Sequence, residues 1–314
     1  MNLSDLRIFL AVARGRSVVA AAAELHLTPS AVSKALRRLE DDLGCALFDR
    51  TTRQLVLNAG GDRLVERAQL LLALAEGARA DVRGDAAPVD CRIGGPAVLL
   101  WDAGPRIARA LAAHTGATLR LEALFEDAAL GALARGEIGA AVVTGAVTDG
   151  RGPVWSADWD TAPLGALVLH LVAGRTHPLV AAHGMGADGA CHVPVAQVLV
   201  HDFVCPTRSL FCGEGRGGRS DGWRDDALPR RIRYWTDDLH LLSTFVRGGA
   251  ALAYLPQAAL ADGEVVPIHL DDCPFTCGET SWLVWDRRTA PGWLVRLAAA
   301  LAADAAPMPR RDVT

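Results

Sequence analysis

The chain has 314 residues, of which 32 are basic and 36 acidic, for a formal net charge of -4; this excludes a uniformly basic nucleic-acid coat but leaves room for a local basic patch. It is 51% hydrophobic and only 5% aromatic, with 31 glycines and 16 prolines, which excludes wholesale disorder and a single long coiled coil, and the length calls for at least two domains. Seven cysteines are too few and odd in number for a disulfide scaffold, the start has no export signal, and no apolar run approaches the roughly 20 residues a bilayer requires, so a cytoplasmic protein with no membrane association is expected.

Residues 1–88 are rich in Ala, Leu, Arg and Glu, while every tryptophan and tyrosine lies beyond residue 100. A first helix is predicted at 4–13, with Leu6, Phe9, Leu10 and Ala13 on one face, and a second at 18–25 behind Ser17 as N-cap. HLTP ends it. Thr28 then caps a third helix that carries Pro29 in its first turn and buries Val32, Ala35, Leu36, Leu39 and Leu43. Ser30, Ser33, Lys34, Arg37 and Arg38 fall on or beside the opposite face. Two helices with a short turn, the second presenting hydroxyls and cations, match what a major groove requires. LFDRTTRQLVL reads as a hairpin with Arg50 and Arg53 placed to reach phosphate or the minor groove. Against this stands the ordinary reading of a charged face as merely solvated, since Glu40, Asp41 and Asp42 nearly cancel the cations.

Residues 59–87 continue as a long helix in which Leu64, Ala68, Leu71, Ala75, Ala78 and Val82 alternate steps of four and three. Such a stripe either covers the protein's own core or pairs with a second copy, and its place between domains favours dimerisation. The expected divisions are 1–58, 59–88 and 89–314.

From residue 89 strands alternate with helices: VDCRIGG, a helix from Gly104 to Gly116, TLRLEAL, DAALGALARG and IGAAVVTG. That pattern predicts a parallel sheet covered on both faces. A first lobe is expected from 89–161 and 266–303 and a second from 162–265, with a ligand cleft at the strand ends between them. Candidates to line it are Val98, Leu99, Leu100 and Trp101 beyond the first strand, Thr144 and Thr148 beyond the third, and His201 and Phe203 beside the second-lobe strand. A loop of successive apolar residues at 96–101 needs a cover, either the opposing lobe or an apolar or aromatic ligand whose polar groups meet the helix after Gly104.

Cys273 and Cys277 form a C-x3-C without paired zinc spacing, so no metal ligand set and no cofactor is assigned. The glycine-dense GEGRGGRSDG (213–222) is read as a mobile surface loop rather than a phosphate cradle. H-E-x-x-H and zinc-deaminase signatures do not occur.

LRIFLAVARGRSVVAAAAEL followed by LTPSAVSKALRRLEDDLGCALFDRTTRQLVLNAGG and a long helix resembles the LysR-type family of bacterial transcriptional regulators. The resemblance implies an N-terminal all-α winged helix-turn-helix with a long linker helix, and a C-terminal α/β two-lobed effector domain of periplasmic-binding-protein-like fold. It also implies assembly as a dimer or a dimer of dimers, usually a homotetramer. Ser30, Ser33, Lys34 and Arg37 correspond to recognition-helix contacts and Arg50 and Arg53 to wing contacts; Val19 departs from the polar residue, usually Thr, common at its position. The effector-contacting stretch falls at Ala97–Trp101, where the lack of hydroxyls disfavours a small dicarboxylate. The partners implied are a double-stranded DNA operator, an apolar or aromatic small-molecule effector and, for an activator, RNA polymerase. Two rivals remain: an enzyme with an appended DNA-binding head, and an architectural DNA protein without an effector.

Overall fold

The computed structural model describes residues 1–49, 55–83, 89–112, 114, 116–151, 155–213, 221–223, 225, 227–273 and 277–305. Arg50, Arg53 and most of the glycine-dense segment lie outside the described residues. The chain forms two compact units: Met1–Ala87 with Ala134–Glu137 and Arg287–Leu294, and Pro88–Leu133 with Ile138–Asp286 and Val295–Thr314.

In the first unit, α1 (Leu3–Gly15), α2 (Val18–Glu24) and α3 (Pro29–Leu43) are each capped at the start by a short polar side chain. Asn2 Oδ1 accepts from Asp5 N at 2.8 Å, Ser17 Oγ from Ala20 N at 3.3 Å and Thr28 Oγ1 from Ala31 N at 3.2 Å. These bonds satisfy N–H groups that a helix start otherwise leaves orphaned. Leu6, Phe9, Val32 and Leu39 close the core against Leu47 and Phe48. Leu43, predicted to be buried, is exposed. It is the last residue before Gly44 turns left-handed at φ +68°, so its side chain projects past the core. Strands β1 (Phe48–Asp49) and β2 (Val56–Leu57) pair antiparallel as the stem of the predicted hairpin. Then α4 (Ala59–Arg83) carries Gly61 in its first turn, where an added Cβ would lie 2.3 Å from the Leu47 carbonyl oxygen, so only glycine permits this approach.

The second unit starts with β3 (Asp90–Gly95), α5 (Ala97–Leu111), β4 (Thr118–Ala123), α6 (Glu126–Ala134) and β5 (Ala140–Thr144). Next come β6 (Trp159–Gly174), α7 (Pro178–His183), β7 (Cys191–Val193), α8 (Val195–Val198), β8 (Asp202–Cys205), β9 (Arg231–Trp235), α9 (Leu239–Arg247), β10 (Ala253–Pro256), β11 (Val265–Leu270), β12 (Cys277–Asp286) and α10 (Gly292–Ala303). The sheet order is β4-β3-β5-β12-β6-β11-β7, with β10 also on β6 and a separate β8–β9 pair.

The expected all-parallel sheet holds for β3 with β4 and β5 but fails at β12, which runs antiparallel to β5 and β6. The reason is topological. β6 leaves the first lobe and β12 returns to it, so the two crossings run in opposite directions and pair with each other. The lobe boundary drawn at 266 falls inside β11, whose partners β6 and β7 place it on the second-lobe side. Within the crossing, register shifts between Ser281 and Trp282: Ser281 faces Gly165 and Trp282 faces Pro163, leaving Leu164 as the extra residue of a bulge. Gly165 takes φ +106°, and the Leu164 carbonyl accepts from Arg106 Nη1 of α5 at 2.7 Å.

The predicted loop at 96–101 is corrected to helix: α5 starts at Ala97, not after Gly104, and runs through Pro105. An internal proline removes one hydrogen bond and crowds the carbonyl four residues back. Burial of Leu99, Ala103, Ile107 and Leu111 along one face outweighs that penalty.

Candidate functional site

The turn between α2 and α3 is four residues long, and α3 presents Ser30, Lys34 and Arg37 exposed, with Ser33 half-buried beside them. Their common face follows from the caps and from Val32, Ala35, Leu36 and Leu39 turning inward. Arg38 is different. Its Nε donates to Asp5 Oδ2 at 2.8 Å, and a second nitrogen bonds Oδ1 of the same carboxylate. Asp5 is fully buried, so Arg38 is held to α1 as its counter-ion rather than standing ready for phosphate.

The α4 stripe divides in two. Leu64 and Ala68, with Val65 and Leu72, pack on the core of the helix-turn-helix itself. Leu71, Ala78 and Val82 are exposed and Ala75 is half-buried. Leu74, which the heptad reading passed over, is exposed between them, giving an apolar strip at 71, 74, 78 and 82.

Between the lobes of the second unit lies a cavity of about 290 Å³ walled by Val98, Leu124, Phe125, Ala128, Leu210 and Leu239, with Arg208 and Asp237 as its charged groups. α5 enters it N-terminus first. Pro96 occupies the cap position without a side-chain bond, and its carbonyl takes Leu99 N and Leu100 N, so the N–H groups of Ala97 and Val98 head the helix at the cavity wall. Opposite, the Arg208 guanidinium sits 5.2 Å from the Phe125 ring centroid and donates through Nε to Asp237 Oδ2 at 3.1 Å. Burial would raise the Asp237 carboxyl, but donors from Thr207 and the Arg208 charge prevail and hold it below the ordinary carboxylate range. The cavity is therefore mostly apolar, with one cation already balanced and one uncapped helix start. It suits an apolar or aromatic body carrying a single anionic or carbonyl group.

The eight predicted cleft residues do not converge there. Val98 lines the cavity; Leu99 and Leu100 are buried within the first lobe. Trp101 packs against the second-lobe cluster of Val172, Val204, Leu242 and Val246 and borders a neighbouring cavity of about 420 Å³ with Leu239, His240, Ser243, Thr244 and Arg247. Thr144 is buried, its N–H and hydroxyl both donating to Glu126 Oε1 at 2.6 Å. Thr148 donates to the Gly145 carbonyl at 3.0 Å. The His201 ring stands edge-on to His177 at 4.9 Å, and Phe203 is fully buried beside Trp223. Thr144, Thr148, His201 and Phe203 line neither cavity.

Phe125, Arg208 and Asp237 were missed, although each follows the end of a strand: β4, β8 and β9 respectively. The strand-end rule applied to every strand would have found them.

Residues 3–62 match the family described as bacterial regulatory helix-turn-helix protein, lysR family, and residues 91–307 match the LysR substrate binding domain. The HTH-type transcriptional regulator y4mQ of Sinorhizobium fredii is 57% identical over 67 residues, 21% of this chain and 22% of that protein. The HTH-type transcriptional regulator CfxR of Cupriavidus necator is 34% identical over 194 residues, 61% of this chain and 59% of its own. The match thus spans less than two thirds of either relative. Full-length OxyR from Pseudomonas aeruginosa superimposes with a TM-score of 0.64 at 19% identity, covering 96% of this chain and 94% of that one, a likeness of fold.

Proposed function

Because the chain belongs to the LysR family of bacterial transcriptional regulators, we propose that it is a DNA-bound switch whose operator contacts are altered by a small molecule held between the lobes of its second unit. The observation that carries this reading is the inter-lobe cavity itself: apolar walls, the uncapped start of α5 and the Arg208–Asp237 pair on the facing wall. Its effector is an aromatic or branched aliphatic monocarboxylate. The carboxylate meets the Ala97 and Val98 N–H groups, and the apolar body lies against Phe125, Leu124 and Leu239. Ser30, Ser33 and Lys34 meet base edges of the operator and Arg37 its phosphates.

Two copies associate through Leu71, Leu74, Ala78 and Val82 of α4, which sets two recognition helices on half-sites of one palindrome. A dimer of dimers follows if the effector units also pair, and RNA polymerase becomes a partner if the protein activates. Both matched families are parts of regulators, so the enzyme and architectural readings are set aside.

The test is a thermal-shift series on the full chain with benzoate-type and branched-chain monocarboxylates beside succinate. Binding raises the apparent melting temperature by mass action. Stabilisation by an aromatic or branched acid, reduced in Arg208→Met and accompanied by a changed affinity for a duplex selected from a random pool, supports the proposal. Succinate as the sole stabiliser, or ligand binding that leaves DNA affinity unchanged, overturns it.

A further inference from the structure

At the edge of the second lobe, outside the lining of the cavity, β11 runs parallel to β7 with His269 directly beside His192. The two imidazoles stand 4.9 Å apart and nearly perpendicular. The turn before β7 brings a carboxylate to them. Asp188 Oδ1 accepts from Ala190 N at 3.1 Å, which fixes the side chain and leaves Oδ2 directed at the rings. That oxygen lies 2.9 Å from His192 Nε2 and 3.7 Å from His269 Nδ1, and one ligand atom from each of the three residues falls within 4.8 Å of the others. On the far side of His192, Asp271 Oδ1 lies 3.3 Å from Nδ1.

These distances suit a metal ion. A tetrahedral zinc site with bonds of about 2.0–2.1 Å puts its ligand atoms roughly 3.3 Å apart, a value the Asp188 separations from the two histidines bracket. A metal-bound histidine also characteristically donates its other ring N–H to a carboxylate, which orients the ring, and Asp271 stands where His192 requires that partner. A plain surface ion pair would need one histidine and one carboxylate. Here two imidazoles, from strands far apart in sequence, converge on one oxygen. Two imidazoles and one carboxylate favour zinc, cobalt(II), nickel(II) or copper(II) over calcium and magnesium, which take oxygen ligands.

We propose that Asp188, His192 and His269 form a binding site for a divalent transition metal of the zinc class, with Asp271 positioning His192. Its three ligands are solvent-exposed, so the ion exchanges with solution and a fourth position stays open to water. Binding would fasten the 184–190 turn to the edge strand β7 and to its neighbour β11.

The experiment is calorimetric titration of zinc chloride into the chelator-stripped full chain with a non-thiol reductant. The expected result is a site lost in the His192→Asn/His269→Asn double variant and weakened on the order of tenfold or more in Asp188→Asn, with Asp271→Asn showing a smaller loss. Cobalt(II) should give the intense visible absorption of tetrahedral coordination in the parent and not in the double variant. Because the altered residues are exposed, matching melting curves of the metal-free proteins establish that the variants fold. Unchanged zinc stoichiometry and affinity in the double variant, or no zinc binding by the parent at about 100 µM, overturns the proposal.

Discussion

Asp5 separates two arginines that look equivalent on a helical wheel. Arg37 is exposed on α3, whereas Arg38 neutralises the buried carboxylate that Asp5 carries on α1. Arg37→Ala should weaken binding to any duplex and lower the salt slope by about one, with folding unchanged, as a salt titration of operator affinity would record. Arg38→Ala strands the buried Asp5 carboxylate and should lower the midpoint of urea unfolding. A second residue-scale consequence lies at His177. Its Nδ1 accepts from Leu179 N at the start of α7, and burial, with His201 adjacent, pushes its pKa down to about 4. Above about pH 6.5 the ring is neutral whether the chain is folded or not. Between about 6.5 and 4 the unfolded chain takes up the proton and the folded one does not, so stability falls as pH falls. His177→Asn keeps an acceptor for α7 and should flatten that part of the melting-temperature profile.

At the scale of elements, α4 does two jobs along its length. Its first turns close the core of the helix-turn-helix, and its later turns expose Leu71, Leu74, Ala78 and Val82. Leu74→Asp should abolish the dimer at low micromolar concentration while the monomer stays folded, because the position is open in the single chain and an ionised carboxylate between two apolar helices is heavily penalised. Leu64→Asp should instead unfold the first unit. Sedimentation velocity with circular dichroism separates the two outcomes. α1 to α3 were legible in the sequence because caps, the proline of the first helical turn and the apolar period are local signals. The start of α5 was not: Gly104-Pro105 is a strong local break, and only the depth at which Leu99, Ala103 and Ile107 are buried overrides it. Likewise the α4 stripe was visible, but which half meets the chain's own core depends on α1 arriving beside it.

At the scale of the molecule, the cleft was predictable as a place and not as a list of residues. Arg208 and Asp237 are brought together by the pairing of β8 with β9 and meet Phe125 only where the two lobes face each other, which single-strand patterns do not carry; His192 and His269 likewise meet only through the pairing of β7 with β11. Trp101 tests how the lobes cohere. Trp101→Ala should lower the melting temperature of the second unit by removing about 1–3 kcal/mol of packing against Val204 and Leu242. Ligand affinity should change little, since Trp101 does not line the smaller cavity. The bulge at Leu164 bears on how such a body moves. Lobes strung on loops swing widely, but these are riveted by a ladder from Cys277–Leu169 to Asp286–Trp159, stiff everywhere except where Leu164 drops out of register. Arg106 grips that weak point, and it lies on the same helix whose first turn faces the cavity. α5 is thus a lever with its load arm in the binding site and its fulcrum on the crossing strand. A ligand tugging its tip would wind the sheet by a few degrees of torsion rather than close a jaw, and Arg106→Met should leave ligand binding intact while muting the change in DNA affinity that follows it.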